Sequence, residues 1–244
     1  MQPFTILLPV YNEEGLLVAN TGALLRFLDV LGAPYEVLIG SNGSTDETAR
    51  LGAELEQRYP QVRFFHLPRR GAGLAFSRAV DVMRHDRLVC LDMDLSVELS
   101  FVPEALAALE TCDVVIGSKK MGAESRSPVR RLASDLFILC SKALLGLPFE
   151  DYSIGAKVYR KSVLERYRSA IGRGTFYVQQ IVSFASRDGL KVTEIPARCQ
   201  DFRRSRFNLI HEGLYRFACL FRLWLSLRLP GTRAETATEL STRP

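Results

Sequence analysis

The sequence lacks the features of several protein classes. Its five cysteines include no C-x-x-C pair and, being odd in number, cannot all pair in disulfides. Its three histidines show no spacing typical of a zinc site. The longest apolar stretch, 214–229, is interrupted by Arg216, Arg222 and Arg228 and is shorter than the roughly 20 residues that a membrane span needs. We therefore expect reduced thiols, no structural zinc and no bilayer-spanning helix.

The N-terminal residues lack the basic leader and the apolar core of an export signal, because polar residues begin at Tyr11. With the unpaired thiols, this predicts a cytoplasmic location, either free or at the inner face of the membrane. The overall charge of +5 is concentrated in residues 198–233, which contain eight arginines and only two acidic residues, Asp201 and Glu212. One basic surface that meets phosphates is expected, rather than a nucleic-acid-binding protein.

With 244 residues, 47% of them hydrophobic and 24% charged, the chain is long and apolar enough for one large domain. Short β-rich runs alternate with helical patterns, which predicts an α/β fold whose mostly parallel sheet has helices on both faces. Strands are expected at 4–10, 35–40, 62–66, 88–91, 113–117, 155–159 and 190–195. The predicted organisation is a catalytic domain at 1–210, an amphipathic helix at 211–229 and a disordered tail at 230–244.

Ligands of such a sheet bind at the carboxyl ends of its strands, and two strand ends carry residues that suit a nucleoside. In 9–14, the Tyr11 ring can stack on a base while Glu13 hydrogen-bonds to it. The alternative is helix-start chemistry with Asn12 as the N-cap. The loop at 40–48, also between a strand and a helix, is interpreted as a second binding loop. The alternative is a capped turn around Asp46.

Two further strand ends suit a diphosphate and a metal ion. In 69–73, Arg69 and Arg70 precede two glycines at the start of a helix, where backbone amides can approach a diphosphate. In 89–96, an apolar strand ends in Asp92 and Asp94, and on an extended chain this spacing points both carboxylates the same way. Such a pair suits a hard cation with oxygen ligands, with Ser96 close enough to assist. The alternative is two solvated acids at a strand end.

Together these motifs resemble the family 2 glycosyltransferases of GT-A fold, most closely the polyprenyl-phosphate (dolichol-phosphate mannose or glucose synthase-like) branch. The resemblance covers residues 4–210 and rests on the segments 9–14, 42–46, 70–73, 92–96, 117–119, 151–155, 194–196 and 204–206. It implies Mg²⁺- or Mn²⁺-dependent transfer of a sugar from a nucleotide-diphosphate donor, usually with inversion. The acceptor would be a lipid phosphate or a hydroxyl group.

The resemblance also implies roles for single residues. The nucleotide would contact Pro9, Tyr11, Glu13, Asn42, Arg70, Gly71, Asp92 and Met93. The metal would be held by Asp92, Asp94 and Ser96. The acceptor phosphate would meet Arg130, Arg131, Ser134, Arg203, Arg204, Ser205 and Arg206. Catalysis would depend on Asp92, Asp94 and Asp151.

Two positions depart from the family pattern. The loop that usually carries paired aspartates reads Ser41-Asn42, and an amide is complementary to uracil, which favours a uridine donor over a guanosine donor. A carboxylate position after the aromatic pair at 176–177 reads Gln179-Gln180. Loss of that acid fits a phosphate acceptor, which is already an anion, or else a base elsewhere such as Asp151.

Three classes of function therefore stand: a polyprenyl-phosphate glycosyltransferase, a transferase acting on a small soluble acceptor, and a non-catalytic nucleotide-binding protein.

The helix expected at 211–227 bears on the choice among these three classes. A helical wheel predicts an apolar face formed by Leu214, Phe217, Leu220, Phe221, Trp224 and Leu225. That face packs either on the core or a second subunit, or on an anionic membrane.

Overall fold

A mixed seven-stranded sheet forms the centre of the structure, a computed structural model that describes residues 1–121, 128–152, 154–199 and 209–228. Only the backbone is described at 128–131, 133 and 209–212. The strands are β1 Phe4–Val10, β2 Tyr35–Asn42, β3 Val62–Leu67, β4 Arg87–Cys90, β5 Val114–Ser118, β6 Lys157–Arg160 and β7 Val192–Pro196. Their spatial order is β3-β2-β1-β4-β6-β5-β7.

All neighbouring strands are parallel except β6, which runs antiparallel between β4 and β5. The predicted α/β fold with a mostly parallel sheet is therefore confirmed. Because β1, β2 and β4 run in the same direction, their carboxyl ends lie at one edge of the sheet. The reversed strand β6 begins at that same edge, which brings the segment before it next to the end of β4.

The helices connect these strands and cover both faces of the sheet. They are α1 Glu14–Val30, α2 Thr48–Arg58, α3 Ala72–Val82, α4 Phe101–Ala108, α5 Pro128–Leu145, α6 Lys161–Arg166, α7 Tyr177–Arg187 and α8 Leu209–Arg228, with a 3-10 turn at Arg168–Ala170. Within the described ranges, none of them combines the length and the apolar character needed to cross a membrane.

The two faces of the sheet bury separate apolar clusters. Ile6 and Leu8 of β1 join one cluster with α1 and α4, whereas Leu7 joins the other with α3, α6 and α8. Because side chains alternate along a strand, a strand buried on both faces is apolar at every position. This explains why β1 reads Phe-Thr-Ile-Leu-Leu-Pro-Val, in which the only polar residue is Thr5, whose buried hydroxyl donates to Glu36 over 2.8 Å.

Helix α8 packs on the second cluster with a face that only partly matches the predicted one, since Phe217 and Leu220 of the predicted face pack there. Leu223, which lies outside the predicted apolar face, is 1% exposed, and Cys219 and Leu220 are buried with it. Leu214 and Phe221 of the predicted face are instead 69% and 53% exposed. The wheel prediction is therefore correct for Phe217 and Leu220 and wrong for Leu214 and Phe221, because α8 carries apolar residues on an inward stripe and on an outward one.

The predicted tail at 230–244 and the arginine motif at 203–206 lie outside the described residues.

Candidate active site

The loops that follow β1 and β2 are joined by backbone-to-side-chain hydrogen bonds. The Asn12 N–H donates to Ser44 Oγ over 3.1 Å, and the Thr45 N–H donates to Asn12 Oδ1 over 2.8 Å. Asn12 adopts a positive φ of 53°, as asparagine tolerates in tight turns. The N-cap of α1 is Glu13, so the alternative that Asn12 caps this helix is wrong. Its amide instead fixes the neighbouring loop.

Asp46 caps two helices at once. Its carboxylate accepts the backbone N–H of Glu14 in α1 over 3.2 Å and that of Thr48 in α2 over 3.1 Å. The capped-turn interpretation of this loop therefore holds for Asp46. The loops at 11–14 and 43–48 form one rigid corner at the carboxyl edge of the sheet.

Tyr11 projects from this corner beside a cation. The Arg70 guanidinium lies 4.1 Å from the centroid of the Tyr11 ring, within the range of a cation–π interaction. Both residues were expected near the nucleotide, and the structure brings them together although 59 positions (70 − 11) separate them in the chain. An aromatic ring and a guanidinium side by side offer stacking and a positive charge to one ligand.

The side chain of Asn42 is committed to the protein. Its Nδ2 donates to the Val10 carbonyl over 2.8 Å, its Oδ1 accepts the Gly71 N–H over 3.0 Å, and the residue is 5% exposed. The amide therefore joins the ends of β1 and β2 to the start of α3. The argument for uracil from a freely pairing Asn42 amide no longer holds, because both of its polar ends already have partners.

The glycines at the start of α3, Gly71 at its N-cap and Gly73 in its first turn, are explained partly by a close approach of the chain to itself. A Cβ at Gly73 would lie 1.8 Å from the Gly172 carbonyl oxygen, and the Gly73 N–H donates to the Arg173 carbonyl over 3.0 Å. The segment 172–174 therefore packs directly on the helix start. Two amides expected to meet a diphosphate, those of Gly71 and Gly73, are bonded within the protein. Arg69 and Arg70 remain exposed there.

Asp92 and Asp94 lie on a turn and not on an extended strand, which corrects the geometric argument from their spacing. β4 ends at Cys90, the Leu95 N–H donates to the Asp92 carbonyl over 3.0 Å, and Leu95 has a φ of 48°. The Ser96 N–H donates to Asp94 Oδ1 over 3.1 Å. Asn20 of α1 holds the turn through a 2.9 Å bond to the Met93 carbonyl.

Asp92 is exposed to solvent on one side and contacts the segment that leads into β6 on the other. The Gly155 N–H donates to Asp92 Oδ2 over 3.2 Å, while the residue as a whole is exposed. Burial of its protein-facing side and the charge of Asp94 raise the pKa of Asp92, and the positive charges of Lys157 and Lys119 partly offset this. The two carboxylates are thus close enough to interact, as a shared ligand requires.

Asp151 is buried and holds the backbone. It is 5% exposed, and its carboxylate accepts the N–H groups of Lys119 and Ile154, each over 3.3 Å. Glu194 of β7 in turn accepts the N–H of Asp151 over 2.9 Å and that of Glu150 over 2.9 Å. This arrangement opposes the interpretation of Asp151 as a catalytic base and makes it a residue that positions the loops beside Asp92.

The expected acceptor residues are described only in part. Ser134 lies half-buried on α5, the side chains of Arg130 and Arg131 are not described, and 203–206 lies outside the described residues. Gln179 donates to Ser141 Oγ over 2.7 Å and, like Gln180, is buried. The two glutamines therefore belong to the packing of α7 and do not line an open cleft.

Sequence reasoning missed Lys157 and the segment 172–174. Lys157 is 3% exposed on β6, and burial lowers its pKa to about 8 although the charges of Asp151 and Asp92 act to raise it. A lone lysine within an apolar strand was the available signal. In the segment 172–174, the only signal in the sequence was its two glycines.

Comparison with known proteins places these motifs in a family context. The sequence model of the family "Glycosyl transferase family 2" matches residues 5–168. Glycosyltransferase AglD of Haloferax volcanii is 24% identical over 91% of this chain and 37% of its own length. An undecaprenyl-phosphate 4-deoxy-4-formamido-L-arabinose transferase of Edwardsiella ictaluri is 27% identical over 81% of this chain and 60% of its own. The chain thus spans less than two thirds of the length of each of these relatives.

Among solved structures, glucosyl-3-phosphoglycerate synthase from Mycobacterium tuberculosis in complex with UDP is similar to this fold. It has a TM-score of 0.65 at 20% identity, over 92% of this chain and 79% of that one. The same enzyme in complex with Mn²⁺ and UDP-glucose gives a TM-score of 0.66 at 17% identity, over 91% and 78%. At such low identity the likeness establishes the GT-A-type fold.

Proposed function

Because this chain belongs to glycosyl transferase family 2, we propose that it transfers a sugar from a nucleotide-diphosphate donor, held with a divalent ion, to a polyprenyl phosphate. The observation that carries the proposal is the exposed turn with Asp92 and Asp94 at the carboxyl edge of the sheet, next to the corner that carries Tyr11. Donors of this kind place their diphosphate at that edge in α/β folds.

The residues at this turn fit Mg²⁺ or Mn²⁺. The Gly155 N–H donates to Oδ2 of Asp92, and the Ser96 N–H donates to Oδ1 of Asp94. The other oxygen of each carboxylate accepts no hydrogen bond from the described residues. No cluster of three or more potential ligands occurs in the described ranges. Two carboxylates with substrate phosphates as the further ligands are what Mg²⁺ commonly takes. A bound ion would stabilise the charge on the departing diphosphate.

The protein's own side chains would bind and orient the donor. Tyr11 offers a ring for the base, and Arg70 beside it offers a positive charge. Lys119, whose charge acts on Asp92, would add electrostatic stabilisation on the other side of the turn. The Asn42 amide no longer supports a uridine donor, because it is bonded within the protein. A uridine donor is still favoured, because the structural relative was solved with UDP-glucose.

A phosphate acceptor fits the chemistry of the surrounding residues. Asp151 is buried against backbone amides, and Gln179 and Gln180 are buried amides. A hydroxyl acceptor needs a positioned base to remove its proton, whereas a phosphate is already an anionic nucleophile. The relatives that are named undecaprenyl-phosphate transferases support this choice of acceptor.

A surface built from α5 and α8 would bring the protein to its lipid. The two helices pack together through Phe137 and Phe217, whose ring centroids lie 5.4 Å apart. Their exposed apolar side chains are Leu132, Leu136, Leu139, Leu214, Phe221 and Leu225. Exposed Arg222 and Arg228 accompany them on α8, and arginines near an anionic leaflet contribute about 1 kcal/mol each. We refer to these eight residues as the outer face.

Transfer and flotation assays test the proposal together. Purified protein with Mn²⁺ should pass sugar from a UDP-sugar to polyprenyl phosphate in vesicles, and should float with vesicles of anionic lipid. Leu136→Asp and Phe221→Asp should each weaken flotation about ten-fold or more, because each removes an apolar side chain that would enter the lipid. Val30→Asp is the matched control, since Val30 is exposed on α1, away from the outer face.

The alternative is a water-soluble acceptor, which the structural relative crystallised with UDP-glucose and phosphoglyceric acid favours. Transfer to a small phosphorylated acid, without transfer to polyprenyl phosphate and without flotation, would establish this alternative. Absence of transfer to either acceptor, together with binding of UDP, would establish the non-catalytic class. A melting temperature raised by GDP-sugars and not by UDP-sugars would reverse the donor assignment.

A further inference from the structure

Lys157 is a buried cation directly behind the acidic turn. It lies on β6 opposite Cys90 of β4 in the antiparallel register, and its ammonium group donates to the Ile154 carbonyl. The Gly155 N–H, two positions before Lys157, donates to Asp92, two positions after Cys90. These four residues therefore form one patch where the turn after β4 meets the segment that leads into β6.

Because Gly155 has no side chain, there is room beside it for the Asp92 carboxylate. A Cβ at Gly155 would lie 2.4 Å from both Oδ1 and Oδ2 of Asp92, and the Gly155 N–H donates to Oδ2 over 3.2 Å. The carboxylate therefore lies against the unsubstituted Cα of Gly155, on the segment that leads into β6 and Lys157. Asp151, also buried, is the second carboxylate whose charge acts on this lysine.

We propose that Lys157 is a positioning residue that offsets part of the charge of Asp92, so that the nucleotide-free protein binds a divalent ion weakly and takes it up together with the donor diphosphate. This inference rests on the metal site of the proposed function. A fixed cation repels an approaching divalent ion, and burial reduces the screening of that repulsion by salt. A diphosphate brings enough negative charge to reverse the balance.

Mn²⁺ binding to the purified protein, followed by the electron paramagnetic resonance signal of free Mn²⁺ at fixed pH and ionic strength, tests the inference without an activity assay. Lys157→Met should bind Mn²⁺ without nucleotide on the order of ten-fold more tightly than the unmodified protein, because one like charge is removed at short range. Lys157→Arg keeps the charge and should retain the weak binding. Lys161→Met is the matched control, since Lys161 pairs with Glu165 on α6 and should leave Mn²⁺ binding unchanged.

Unchanged or weaker Mn²⁺ binding in Lys157→Met would overturn the inference while leaving the metal site in place. If the unmodified protein binds no Mn²⁺ even with saturating UDP, the metal site of the proposed function fails, and this inference fails with it. Should Lys157→Met not fold, Lys157→Gln takes its place, because it removes the charge and can still donate to the Ile154 carbonyl, and it should show the same roughly ten-fold tightening of Mn²⁺ binding without nucleotide. Equal Mn²⁺ affinity with and without UDP would refute the inference.

Discussion

Replacement of Gly155 by alanine is a minimal perturbation of the candidate metal site. The new Cβ would lie 2.4 Å from both oxygens of Asp92, whereas ordinary contacts of a Cβ begin at 3.4 Å. The carboxylate must therefore move by 3.4 − 2.4 = 1.0 Å. Because Asp92 is exposed, its side chain can rotate outward into solvent. The alanine thus displaces one proposed ligand, the Asp92 carboxylate, and leaves its chemistry unchanged.

The expected effect on activity is much larger than the effect on stability. A displacement of about 1 Å at a reacting centre lowers the rate by about 100-fold, equivalent to about 2.7 kcal/mol of transition-state stabilisation. The free energy of unfolding should fall by about 1 kcal/mol, the lower end of the range for overpacking, because the carboxylate has space to move. The dependence on Mn²⁺ should shift to higher concentration.

The assay compares sugar transfer, its Mn²⁺ dependence and the melting temperature of Gly155→Ala with those of Gly22→Ala. Gly22 lies within α1, where an added Cβ would meet only the Arg26 guanidinium at 3.5 Å. This control should raise the free energy of unfolding by about 0.5–1 kcal/mol and leave transfer unchanged. Full activity of Gly155→Ala at the usual Mn²⁺ concentration would refute the placement of Asp92 as a metal ligand.

Three further substitutions test other contacts of the site. Asp94→Asn should lower transfer by about 100-fold or more without changing the melting temperature, and retained Mn²⁺-dependent transfer would move the metal elsewhere. Gly73→Ala should lower the free energy of unfolding by about 2–3 kcal/mol in thermal melts, because the Gly172 carbonyl oxygen is backbone and cannot rotate away. Tyr11→Ala and Arg70→Ala should show a coupling of about 0.5–1 kcal/mol in a double-mutant cycle on UDP binding, and additive losses would argue against a shared contact.

The strands were predictable because the sheet is buried on both faces. β1 was expected at 4–10 and is found at Phe4–Val10, and the other strands differ by a few residues at their ends. Helix α7 was missed although Val178, Ile181, Val182 and Ala185 recur at helical spacing, because Gln179, Gln180 and Ser183 of its buried face interrupt the apolar pattern. The reversal of β6 was also hidden, since strand direction depends on the path of the intervening chain.

The positions of the site motifs were predictable, but several of their roles were not. Motifs at the carboxyl ends of parallel strands must meet at one edge, and Tyr11 and Arg70 do so. The role of Asn42 depends on Val10 and Gly71, and that of Gly73 depends on the segment 172–174, which is distant in sequence. Such partners exist only in the folded chain, so the residue type alone suggested the wrong contact.

The acids of this edge differ in how much of their hydrogen-bonding capacity the protein already uses. Asp46 and Asp151 each accept backbone N–H groups on both oxygens, and Glu194 accepts two N–H groups across its two oxygens. Asp92 and Asp94 each accept one such bond in the described part of the chain, on a single oxygen. A carboxylate whose oxygens are filled by amides fixes loops, whereas one with an open oxygen at the protein surface retains the capacity to bind a cation. The sequence singles out Asp92 and Asp94 by their spacing after an apolar strand, and the hydrogen bonds give an independent physical reason why these two of the five acids can be ligands.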